Sequence, residues 1–539
     1  GKSVSLPEGF NFSTKLGNDS AIHNYQVITA LGDANSVTMT DLQGIRAGPG
    51  NNYALGANID AAATAAWNDG EGFEPINNFD GRLEGLGHTI SNLTINRPDN
   101  DKSGLFSELS VAIEGSNAGM VSNLSLANAN VRGKNYVGIL AGRNVGGSII
   151  DSRVGGIVNG SDYVGGMVGQ SASGSTIVAS HSTATVNGRF YTGGLVGLNR
   201  GGISDSSASG NVTGTDNVGG LVGYNYSAVS NSNASGNITG VRNVGGLLGY
   251  NYGANTTNNH ASGIVNGTQN VGGLVGQNRA GGISQSHATG TVSGTSQVGG
   301  LVGYLSEGGE CGECASDVSE SYASGNVTAS GNFAGGLVGG VENPQAVRNS
   351  HYNIDAVTIN GAHRVTRGGL FNAQYQDWIV DKSLNIADYN GTLVPNDGHY
   401  DINSVQGIKE LLGFADDSDN NFRLSGNIDL GGSPGLHVPY LAASTFDGAG
   451  FTISNLVVNE PKQDYIGLFG ITGSGTTIQN LAITNAAVTG HSKVGVLAGF
   501  NRAVVSGVTA RGTVSGTDRV GGWIGENHAA NVSESGAIV

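Results

Sequence analysis

Short apolar runs, separated by glycine and asparagine, return along the chain at a nearly constant interval. The clearest run begins at Val218 and reads Val-Gly-Gly-Leu-Val-Gly-Tyr-Asn, with close copies at Val244 and Val271. Successive starts differ by 26 to 28 residues over most of the series, and by 36 between Val298 and Ala334. A fixed period of this size predicts a repeat architecture. Weaker copies begin at Val137, Val164, Thr192, Val298, Ala334, Val494 and Val520.

A second phrase, in which apolar and polar residues alternate, lies between successive copies of the first. Val212, Ile238 and Val265 share one apolar position in it, and each is followed two residues later by glycine. Alternation over three or four residues and then a break is typical of very short strands joined by turns. Five or more glycines in most repeats disfavour a helix, because each glycine costs about 1 kcal/mol relative to alanine in a helix interior.

Stacking of similar coils would bury the apolar faces, since one repeat alone cannot bury its own. Leu221, Leu247 and Leu274 would then lie above one another, with neighbouring strands about 4.8 Å apart. The sequence therefore predicts an all-β fold, an elongated parallel β-helix or solenoid. The paired glycines suit positive φ and close backbone packing at corners. One repeat position holds asparagines that would bond from coil to coil, namely Asn199, Asn225, Asn251, Asn278 and Asn527.

The module begins twice, because Asn421 to Asp429 matches Asn52 to Asp60 in sequence. We predict an N-terminal lead-in with the first coils over 1–119 and a regular repeat solenoid over 120–345. An irregular linking region then covers 346–400, and a second lead-in with a truncated repeat module covers 401–539. The start at Gly1 without methionine and the end within a repeat favour an excised piece of a longer precursor.

Composition narrows the classes of partner. Glycine supplies 93 of 539 residues, more than twice its usual share of about 7%, and only 12% of residues are charged. The net charge of −16 disfavours nucleic acid and anionic membranes, and leaves cations, neutral glycans and proteins open. The sequence contains no run of 18 apolar residues, so we expect no membrane insertion.

The repeated Gly-Gly-Leu-Val-Gly phrase, with its flanking valine and asparagine, resembles the GLUG repeat. That repeat occurs in large secreted bacterial proteins, including filamentous-haemagglutinin-like adhesins and some IgA-cleaving metallopeptidases. The segments from Asn52 to Asp60 and from Phe79 to Ile95 are similar to those that precede the repeats in adhesins exported by two-partner secretion. The resemblance covers nearly the whole chain.

That resemblance implies a right-handed β-helix, secreted to the exterior of a Gram-negative outer membrane, that serves attachment, aggregation or binding to a biofilm matrix. Some members of the class engage exopolysaccharide. The expected partners are therefore exopolysaccharide or the surface glycans of hosts and bacteria. We expect a monomeric rod that needs no cofactor.

Tyrosines recur at two repeat positions and are the candidate ligand-binding residues. Tyr224, Tyr250 and Tyr304 share one position, and Tyr226 and Tyr252 share the other. If exposed, their rings would form a strip on which sugars dock their C–H faces and to which tyrosine hydroxyls bond. The alternative is a ladder that only stabilises stacking, at about 0.2–1 kcal/mol per pair.

Histidines also recur, at the position of His181, His260 and His287. Two imidazoles about 5 Å apart could share a metal ion or respond to pH. The same position accepts Ser207 and Tyr322. This tolerance favours a solvent-facing column with no dedicated role.

Two cysteines, Cys311 and Cys314, lie in the lengthened repeat as Cys-Gly-Glu-Cys. A small disulfide that ties an inserted loop is the favoured interpretation. A zinc site lacks further ligands nearby, and a redox pair lacks its βαβ context, although both remain alternatives.

An acidic run offers oxygen ligands to Ca²⁺ through Asp416, Asp417 and Asp419. It lacks the spacing and the closing glutamate of an EF-hand loop. A solvated loop is therefore the preferred interpretation, and no dedicated metal site is predicted.

Catalytic motifs receive no support. The His-Glu-x-x-His of the peptidase members does not occur in the sequence. Gly431 to Gly435 fits Gly-x-Ser-x-Gly, but Pro434 has no N–H to lend to an oxyanion hole, so a turn is expected. We expect no enzyme. The chain is either a glycan-binding adhesin with many weak equivalent sites, or a stalk that projects an adhesive region located elsewhere.

Overall fold

Parallel β-coils build both units of the protein. The computed structural model describes residues 3–7, 11–14, 22–110, 118–308, 316–528, 531–533 and 535–538. Unit 1 contains residues 1–293 and 301–316, and unit 2 contains residues 294–300 and 317–539. In the described residues the two units comprise about 18 turns of parallel β-solenoid, which confirms the predicted fold class.

A single coil of unit 1 contains five short strands that belong to four sheets. In one coil these are Gly202–Ser204 of sheet 1, Ser207–Ala208 and Val212–Thr213 of sheet 2, Asp216–Gly219 of sheet 3 and Val222–Asn225 of sheet 4. Each strand pairs in parallel with its equivalent in the next coil. Every inward side chain therefore meets its own repeat equivalent.

The strands of unit 1 fall into these four sheets along the whole unit. Sheet 1 contains Asn11–Thr14, His23–Ile28, Tyr53–Leu55, Arg82–Glu84, Met120–Ser122, Ser148–Ile150, Thr176–Val178, Gly202–Ser204, Val229–Ser230, Thr256–Thr257 and Gly282–Ser284. Sheet 2 contains Ile59–Asp60, Thr89–Ser91, Thr94–Asn96, Ser125–Arg132, Arg153–Asn159, His181–Ser182, Thr185–Asn187, Ser207–Ala208, Val212–Thr213, Asn233–Ala234, Ile238–Thr239, His260–Ala261, Val265–Asn266, His287–Ala288 and Val292–Gly294, whose last residue belongs to unit 2. Sheet 3 contains Asn135–Val137, Asp162–Gly165, Phe190–Gly193, Asp216–Gly219, Arg242–Gly245 and Gln269–Gly272. Sheet 4 contains Phe106–Leu109, Ala141–Asn144, Val168–Ser171, Val196–Asn199, Val222–Asn225, Leu248–Tyr252, Val275–Arg279 and Val302–Ser306.

The lead-in of unit 1 adds three 3₁₀ helices, Gln43–Ala47, Ala62–Ala66 and Asn68–Gly70. The strand Asn11–Thr14 pairs antiparallel with His23–Ile28. An antiparallel partner of this kind occupies hydrogen-bonding groups that the edge strand of a sheet would otherwise leave open.

The apolar core of unit 1 is a set of in-register columns. Val212, Ile238 and Val265 pair in sheet 2, and each is fully buried. Leu221 and Leu247 occupy another buried column, and the N–H of Leu221 donates to the carbonyl of Leu247 at 2.8 Å. Full burial of such a side chain stabilises a fold by roughly 1.5–3 kcal/mol, so the repeated columns supply most of the cohesion between coils.

The paired glycines of the motif are required by the close approach of neighbouring coils. A Cβ added to Gly220 would lie 2.0 Å from the carbonyl oxygen of Gly246, and one added to Gly246 would lie 2.0 Å from that of Gly273. The expectation of positive φ at this corner is wrong, because neither Gly219 nor Gly220 adopts it. The corner needs the absence of a side chain rather than an unusual backbone conformation.

The predicted asparagine column is a ladder of buried amides. Asn199 Nδ2 donates to Asn225 Oδ1 at 2.8 Å, Asn225 to Asn251 at 2.8 Å, and Asn251 to Asn278 at 2.7 Å, and all four side chains are fully buried. Ser171 interrupts the column one coil earlier.

The interruption leaves two buried polar atoms without a partner among the described residues, Ser171 Oγ and Asn144 Oδ1. Unpaired buried polar groups are costly. The ladder therefore stabilises the coils only over the stretch in which it is continuous.

Unit 2 contains two stacks of coils. The first has Ser296–Gly299, Asp317–Ser319, Tyr322–Ala323, Val327–Ala329, Ala334–Gly335, Val338–Val341, Val347–Arg348, His351–Asn353 and Gly369–Leu370. The second has Leu393–Asn396, His399–Ile402, Asn421–Leu424, Ile428–Asp429, Val438–Leu441, Thr445–Asp447, Thr452–Ser454, Val457–Asn459, Phe469–Thr472, Thr477–Gln479, Ala482–Thr489, Ser492–Val494, Ala498–Asn501, Val504–Ser506, Thr509–Ser515, Asp518–Val520, Ile524–Asn527, Val532–Ser533 and Gly536–Ile538.

The second stack repeats the lead-in of unit 1, as the sequence match suggested. Leu393–Asn396 pairs antiparallel with His399–Ile402, like the first two strands of unit 1. A strand and a two-residue strand then follow, at Asn421–Leu424 and Ile428–Asp429.

Helices in unit 2 lie outside the repeats and were not predicted. They are the α-helices Asn372–Asp381 and Val405–Leu411 and the 3₁₀ helices Pro344–Ala346 and Ile386–Tyr389. The helix Asn372–Asp381 contains no glycine and buries Tyr375 and Trp378. Trp378 is fully buried and lies edge-to-face with His351, with 4.8 Å between the ring centroids.

His351 is a buried histidine behind this helix, and its Nδ1 lies 3.2 Å from the carbonyl oxygen of Gly368. Burial lowers the pKa of His351 to about 4 from its ordinary 6.5. The folded unit therefore holds this imidazole neutral at pH values where the unfolded chain protonates it.

We expect the asparagine ladder to be needed for stability. The substitution Asn225→Ala removes the acceptor of Asn199 Nδ2 and the side-chain donor to Asn251 Oδ1, so the free energy of unfolding should fall by about 1–3 kcal/mol. Chemical denaturation measures the change. The control Asn266→Ala alters an exposed asparagine of sheet 2 and should change stability by less than about 0.5 kcal/mol. Equal effects of the two substitutions would contradict a special role of the ladder.

We also expect an acid-dependent loss of stability in unit 2. As the pH falls from about 6.5 to about 4, protons bind the unfolded chain in preference to the folded one, and His351 should remove about 3 kcal/mol. Below pH 4 this loss is complete. Unfolding midpoints across that range should fall less steeply for His351→Gln, which carries no titrating group there. Parallel profiles for the two proteins would argue against this assignment.

Candidate functional site

Seven tyrosines of unit 1 form one continuous surface, the tyrosine strip, along sheets 3 and 4. Neighbouring ring centroids in it lie between 4.7 and 6.5 Å apart. All seven side chains are half-buried or exposed. The members are Tyr136, Tyr163, Tyr191, Tyr224, Tyr226, Tyr250 and Tyr252.

Alternation along the strands of sheet 4 places four of these tyrosines on the outer side. In the strand Leu248–Tyr252, Asn251 points inward to the buried ladder, and Tyr250 and Tyr252 flank it. Successive side chains of a strand point to opposite faces, so both rings lie outside. Tyr224 pairs in register with Tyr250. The structure thus brings together Tyr224, Tyr226, Tyr250 and Tyr252 as the sequence predicted.

The other predicted tyrosine, Tyr304, lies in the same column but farther along. Gln277 occupies the coil between Tyr250 and Tyr304. Tyr304 is half-buried. It is therefore aligned with the tyrosine strip without belonging to the continuous set defined here.

Three members of the strip were missed by the sequence analysis. Tyr136, Tyr163 and Tyr191 have positive φ values of 56°, 58° and 54°. The left-handed conformation costs an ordinary residue roughly 1–2 kcal/mol, and in the next coils asparagine, which tolerates it better, takes the position at Asn217 and Asn243. Each missed tyrosine directly precedes a copy of the motif. The same 26- to 28-residue period, applied one position earlier, would have found them.

Stacking hides most of the ring faces in the strip. Tyr136 and Tyr163 are 4.7 Å apart at 2°, Tyr163 and Tyr191 are 4.9 Å apart at 12°, and Tyr224 and Tyr250 are 4.7 Å apart at 19°. Nearly parallel rings at such distances must overlap face to face. These rings therefore present mainly their edges and hydroxyls to solvent.

Two rings are more exposed than the others, although Tyr226 also stacks on Tyr224, with 4.7 Å between the ring centroids and 27° between the planes. Tyr226 and Tyr252 are 38% and 39% exposed, and their planes meet at 62° with centroids 5.6 Å apart. Tyrosine is enriched at contact sites, because its ring offers apolar surface and its hydroxyl a hydrogen bond. Tyr226 and Tyr252 thus form the most accessible part of the tyrosine strip.

The hydroxyls of Tyr163, Tyr224 and Tyr250 remain protonated at neutral pH. Burial, reinforced by Tyr226, raises the pKa of Tyr224 far above its usual value. Burial also raises the pKa of Tyr163 and of Tyr250. The surface therefore combines apolar ring edges with neutral hydrogen-bonding groups.

Arginines lie against three rings of the strip. The guanidinium carbon of Arg200 lies 4.8 Å from the Tyr226 centroid, and that of Arg279 lies 5.7 Å from the Tyr252 centroid. Arg143 lies 5.7 Å from the centroid of Tyr136. A cation at these distances is attracted by the ring quadrupole.

The histidine column contains a stacked pair instead of a convergent one. The rings of His260 and His287 are 4.2 Å apart at 17°. Ring nitrogens bind metals in the plane of the ring, and one ion cannot lie in two nearly parallel planes. Burial lowers the pKa of His260, which is half-buried. His181 lies separately, with its Nδ1 2.7 Å from Ser207 Oγ.

The acidic run of unit 2 is engaged in local contacts. Asp416 forms an ion pair with Arg367 at 3.1 Å, and Asp417 Oδ1 accepts a hydrogen bond from the backbone N–H of Asp419 at 3.0 Å. Within the described residues no three His, Cys, Asp or Glu side chains are placed to share a metal ion.

Two further expectations concern the cysteines and the Gly-x-Ser-x-Gly match. Cys311 and Cys314, expected to form a disulfide, lie outside the described residues. Ser433 lies in a hydrogen-bonded turn, where its N–H donates to the carbonyl of Leu430 at 2.9 Å.

No helix in the described part of the chain has the length and apolarity needed to span a membrane.

Comparison with known proteins places the repeats in a known class. Residues 188–213, 214–239 and 267–293 match the family model of the GLUG motif. The chain carries GLUG repeats. Tyr191, Tyr224 and Tyr226 of the tyrosine strip lie inside the matched GLUG repeats.

The chain is 44% identical over 186 residues to halomucin of Haloquadratum walsbyi. The matched segment is 33% of this chain and only 2% of the length of halomucin. The chain therefore spans a small part of this curated relative. Two solved structures are also similar, each at 18% identity and a TM-score of 0.30. One is a putative immunoglobulin A1 protease from Bacteroides ovatus, with 70% of this chain and 90% of that chain covered; the other is an IgA1 protease, with 58% and 20% covered. At these scores the two structures support no inference about function.

We expect the stacked tyrosines to stabilise the GLUG coils. Tyr163 stacks on both sides, so Tyr163→Ala removes two ring contacts and should lower the free energy of unfolding by about 1–3 kcal/mol. Tyr163→Phe keeps both stacks and should lie within about 0.5 kcal/mol of the parent. Denaturant titration compares the three proteins. If phenylalanine destabilised the unit as much as alanine, the hydroxyl and not the stack would be the stabilising group.

Proposed function

We propose that this protein is an extracellular, non-catalytic attachment protein that binds polysaccharide or surface glycans through the tyrosine strip. The observation that carries the proposal is the exposure of Tyr226 and Tyr252 beside a row of stacked tyrosines. Exposed aromatic rings next to neutral hydroxyl donors suit sugars, which have apolar C–H faces and many hydroxyl groups.

The periodicity of the strip supports a polymeric ligand. Coils repeat about every 4.8 Å, and the stacked rings follow that spacing. A chain of sugars lying along the strip would meet similar groups at each step. Several weak contacts on one polymer add through effective concentration, so each single site need not bind tightly.

An extracellular role is supported by the surface and by the repeats. The surface depends on serine, threonine and asparagine, since only 12% of residues are charged. GLUG repeats and the halomucin match point to a large repeat protein. We further propose that the chain acts as an adhesin of the filamentous-haemagglutinin-like, two-partner secretion type, as a monomer without a cofactor, in attachment and biofilm formation.

A structural stalk is the second candidate function. Face-to-face stacking of Tyr136, Tyr163 and Tyr191 covers their ring faces and stabilises neighbouring coils. The asparagine ladder has the same effect inside. A stalk would need these features and would not need a ligand.

Binding of the chain to glycans distinguishes an attachment protein from a structural stalk. The parent chain should bind some members of a panel of bacterial exopolysaccharides and host glycans. The double substitution Tyr226→Ala/Tyr252→Ala should weaken that binding by about tenfold or more, since we expect a sugar ring on an aromatic ring to contribute as a stacked nucleotide base does, on the order of 1–3 kcal/mol. Biolayer interferometry on immobilised glycans measures the change, and circular dichroism checks the fold.

The matched control is Tyr400→Ala, which removes a half-buried tyrosine of unit 2. This variant should bind like the parent. A well-folded parent chain that binds nothing in the panel would favour the stalk. Retained binding by the double variant would exclude Tyr226 and Tyr252 as the site.

A further inference from the structure

We infer that the tyrosine strip takes an acidic polysaccharide, one that carries carboxylate or sulfate groups, and that Arg200 and Arg279 bind those groups. The inference rests on the proposed function, because it uses the same surface and adds the chemical class of the ligand. It also names two residues that the tyrosine columns alone do not identify.

The two arginines frame the two exposed rings. Tyr252 pairs in register with Arg279. Asn199, which precedes Arg200, pairs in register with Asn225, which precedes Tyr226. The order along consecutive coils is therefore arginine, tyrosine, tyrosine, arginine. Three steps of about 4.8 Å separate the backbones of the two arginines by roughly 14 Å.

Neither guanidinium is neutralised within the described residues. Arg189 and Arg242, on the neighbouring sheet 3, form ion pairs with Asp162 at 3.3 Å and with Asp216 at 2.5 Å. No described carboxylate pairs with Arg200 or Arg279, which instead lie against aromatic rings. In a chain with 41 acidic and 25 basic residues, two guanidiniums that make no ion pair among the described residues add positive charge beside the exposed rings.

A related arrangement occurs at the same motif positions in unit 2. Phe500 stands where Tyr224 stands in its copy, and Arg502 stands where Tyr226 does. Arg502 lies 5.0 Å from the Phe500 centroid. Lys493 Nζ lies 4.6 Å from the Tyr465 centroid and 4.8 Å from that of Phe500. The recurrence of rings with cations in a second unit favours a shared use of this surface.

The arrangement in unit 2 is partly neutralised. Glu526 accepts from Arg519 at 2.6 Å and lies 3.4 Å from Lys493 Nζ. The unpaired cations of unit 1 therefore make it the stronger site of the two for an anionic ligand.

The chemistry of arginine explains the preference for acidic sugars. Its planar guanidinium stays charged, and it donates paired hydrogen bonds to carboxylates or sulfates, at roughly twice the strength of neutral hydrogen bonds. Here Tyr226 and Tyr252 would contact the sugar rings between the two charged groups. Because Arg200 is exposed, the attraction is screened by salt over about 8 Å at physiological ionic strength. Binding should therefore weaken as salt rises.

Matched polymers test the inference on the whole 539-residue chain. The probes are polygalacturonate with its fully methyl-esterified form, and dextran sulfate with dextran. Each pair shares one backbone and differs in charge. The parent should bind the charged member about tenfold or more tightly, and sodium chloride should reduce that difference.

The variant Arg200→Gln/Arg279→Gln should lose about tenfold or more of its affinity for the charged polymers and keep its affinity for the uncharged ones. Its control, Arg153→Gln/Arg511→Gln, removes the same charge from two exposed arginines of other sheets and should bind like the parent. If the two variants lost equal affinity for the charged polymers, the effect would come from net charge alone, and the inference would be wrong. Duplex DNA bound as well as dextran sulfate would also overturn it.

The failure of this inference is distinguishable from that of the proposed function. Suppose that Tyr226→Ala/Tyr252→Ala abolishes binding to uncharged polymers while the arginine variant binds every polymer like the parent. The tyrosine strip would then be a glycan site without selectivity for charge. The inference of an acidic ligand would be wrong, and the proposed function would stand. If the folded parent bound none of these polymers and nothing in the glycan panel, both would fall.

Discussion

Contact between each side chain and its own equivalent one coil away is the constraint on which the rest of this structure depends. Parallel strands about 4.8 Å apart place valine on valine, asparagine on asparagine and tyrosine on tyrosine. Each residue type must therefore tolerate its own kind as a neighbour. Buried aliphatic residues do so through apolar contact, amides through hydrogen bonds and aromatic rings through stacking. Paired glycines serve the same geometry, since a Cβ at Gly220 would collide with the coil above it.

This constraint explains why the sequence predicts so much of the fold. A period that repeats many times reports the coil directly, so the buried column of Val212 and the ladder through Asn225 follow from residue spacing alone. The helix Asn372–Asp381 has no such support, because it occurs once and its burial of Trp378 depends on tertiary contacts. Non-repeating segments give only local propensity, which tertiary packing readily overrides.

The candidate site was predictable in position but not in orientation. The period places Tyr224 beside Tyr250, yet the angle between their rings depends on side-chain torsions and on neighbours in other strands. That angle decides whether faces or edges meet solvent. The arginines are a similar case, since Arg200 and Arg189 look alike in sequence and only the folded chain shows that Asp162 neutralises Arg189. Tyr163 was missed although the repeat period also marks its position, one residue before a copy of the motif.

The column that contains Tyr163 changes its chemistry along unit 1. From Tyr136 to Tyr191 its members join through rings, whereas from Asn217 to Asn270 they join through amide hydrogen bonds of 2.8 to 2.9 Å. Solutes excluded from protein surfaces, such as sulfate or sugars, strengthen apolar burial, which is the main contribution of the stacked rings. One solenoid thus contains two kinds of joint. We therefore expect the relative stability of the ring-joined and amide-joined coils to depend on the composition of the surrounding medium.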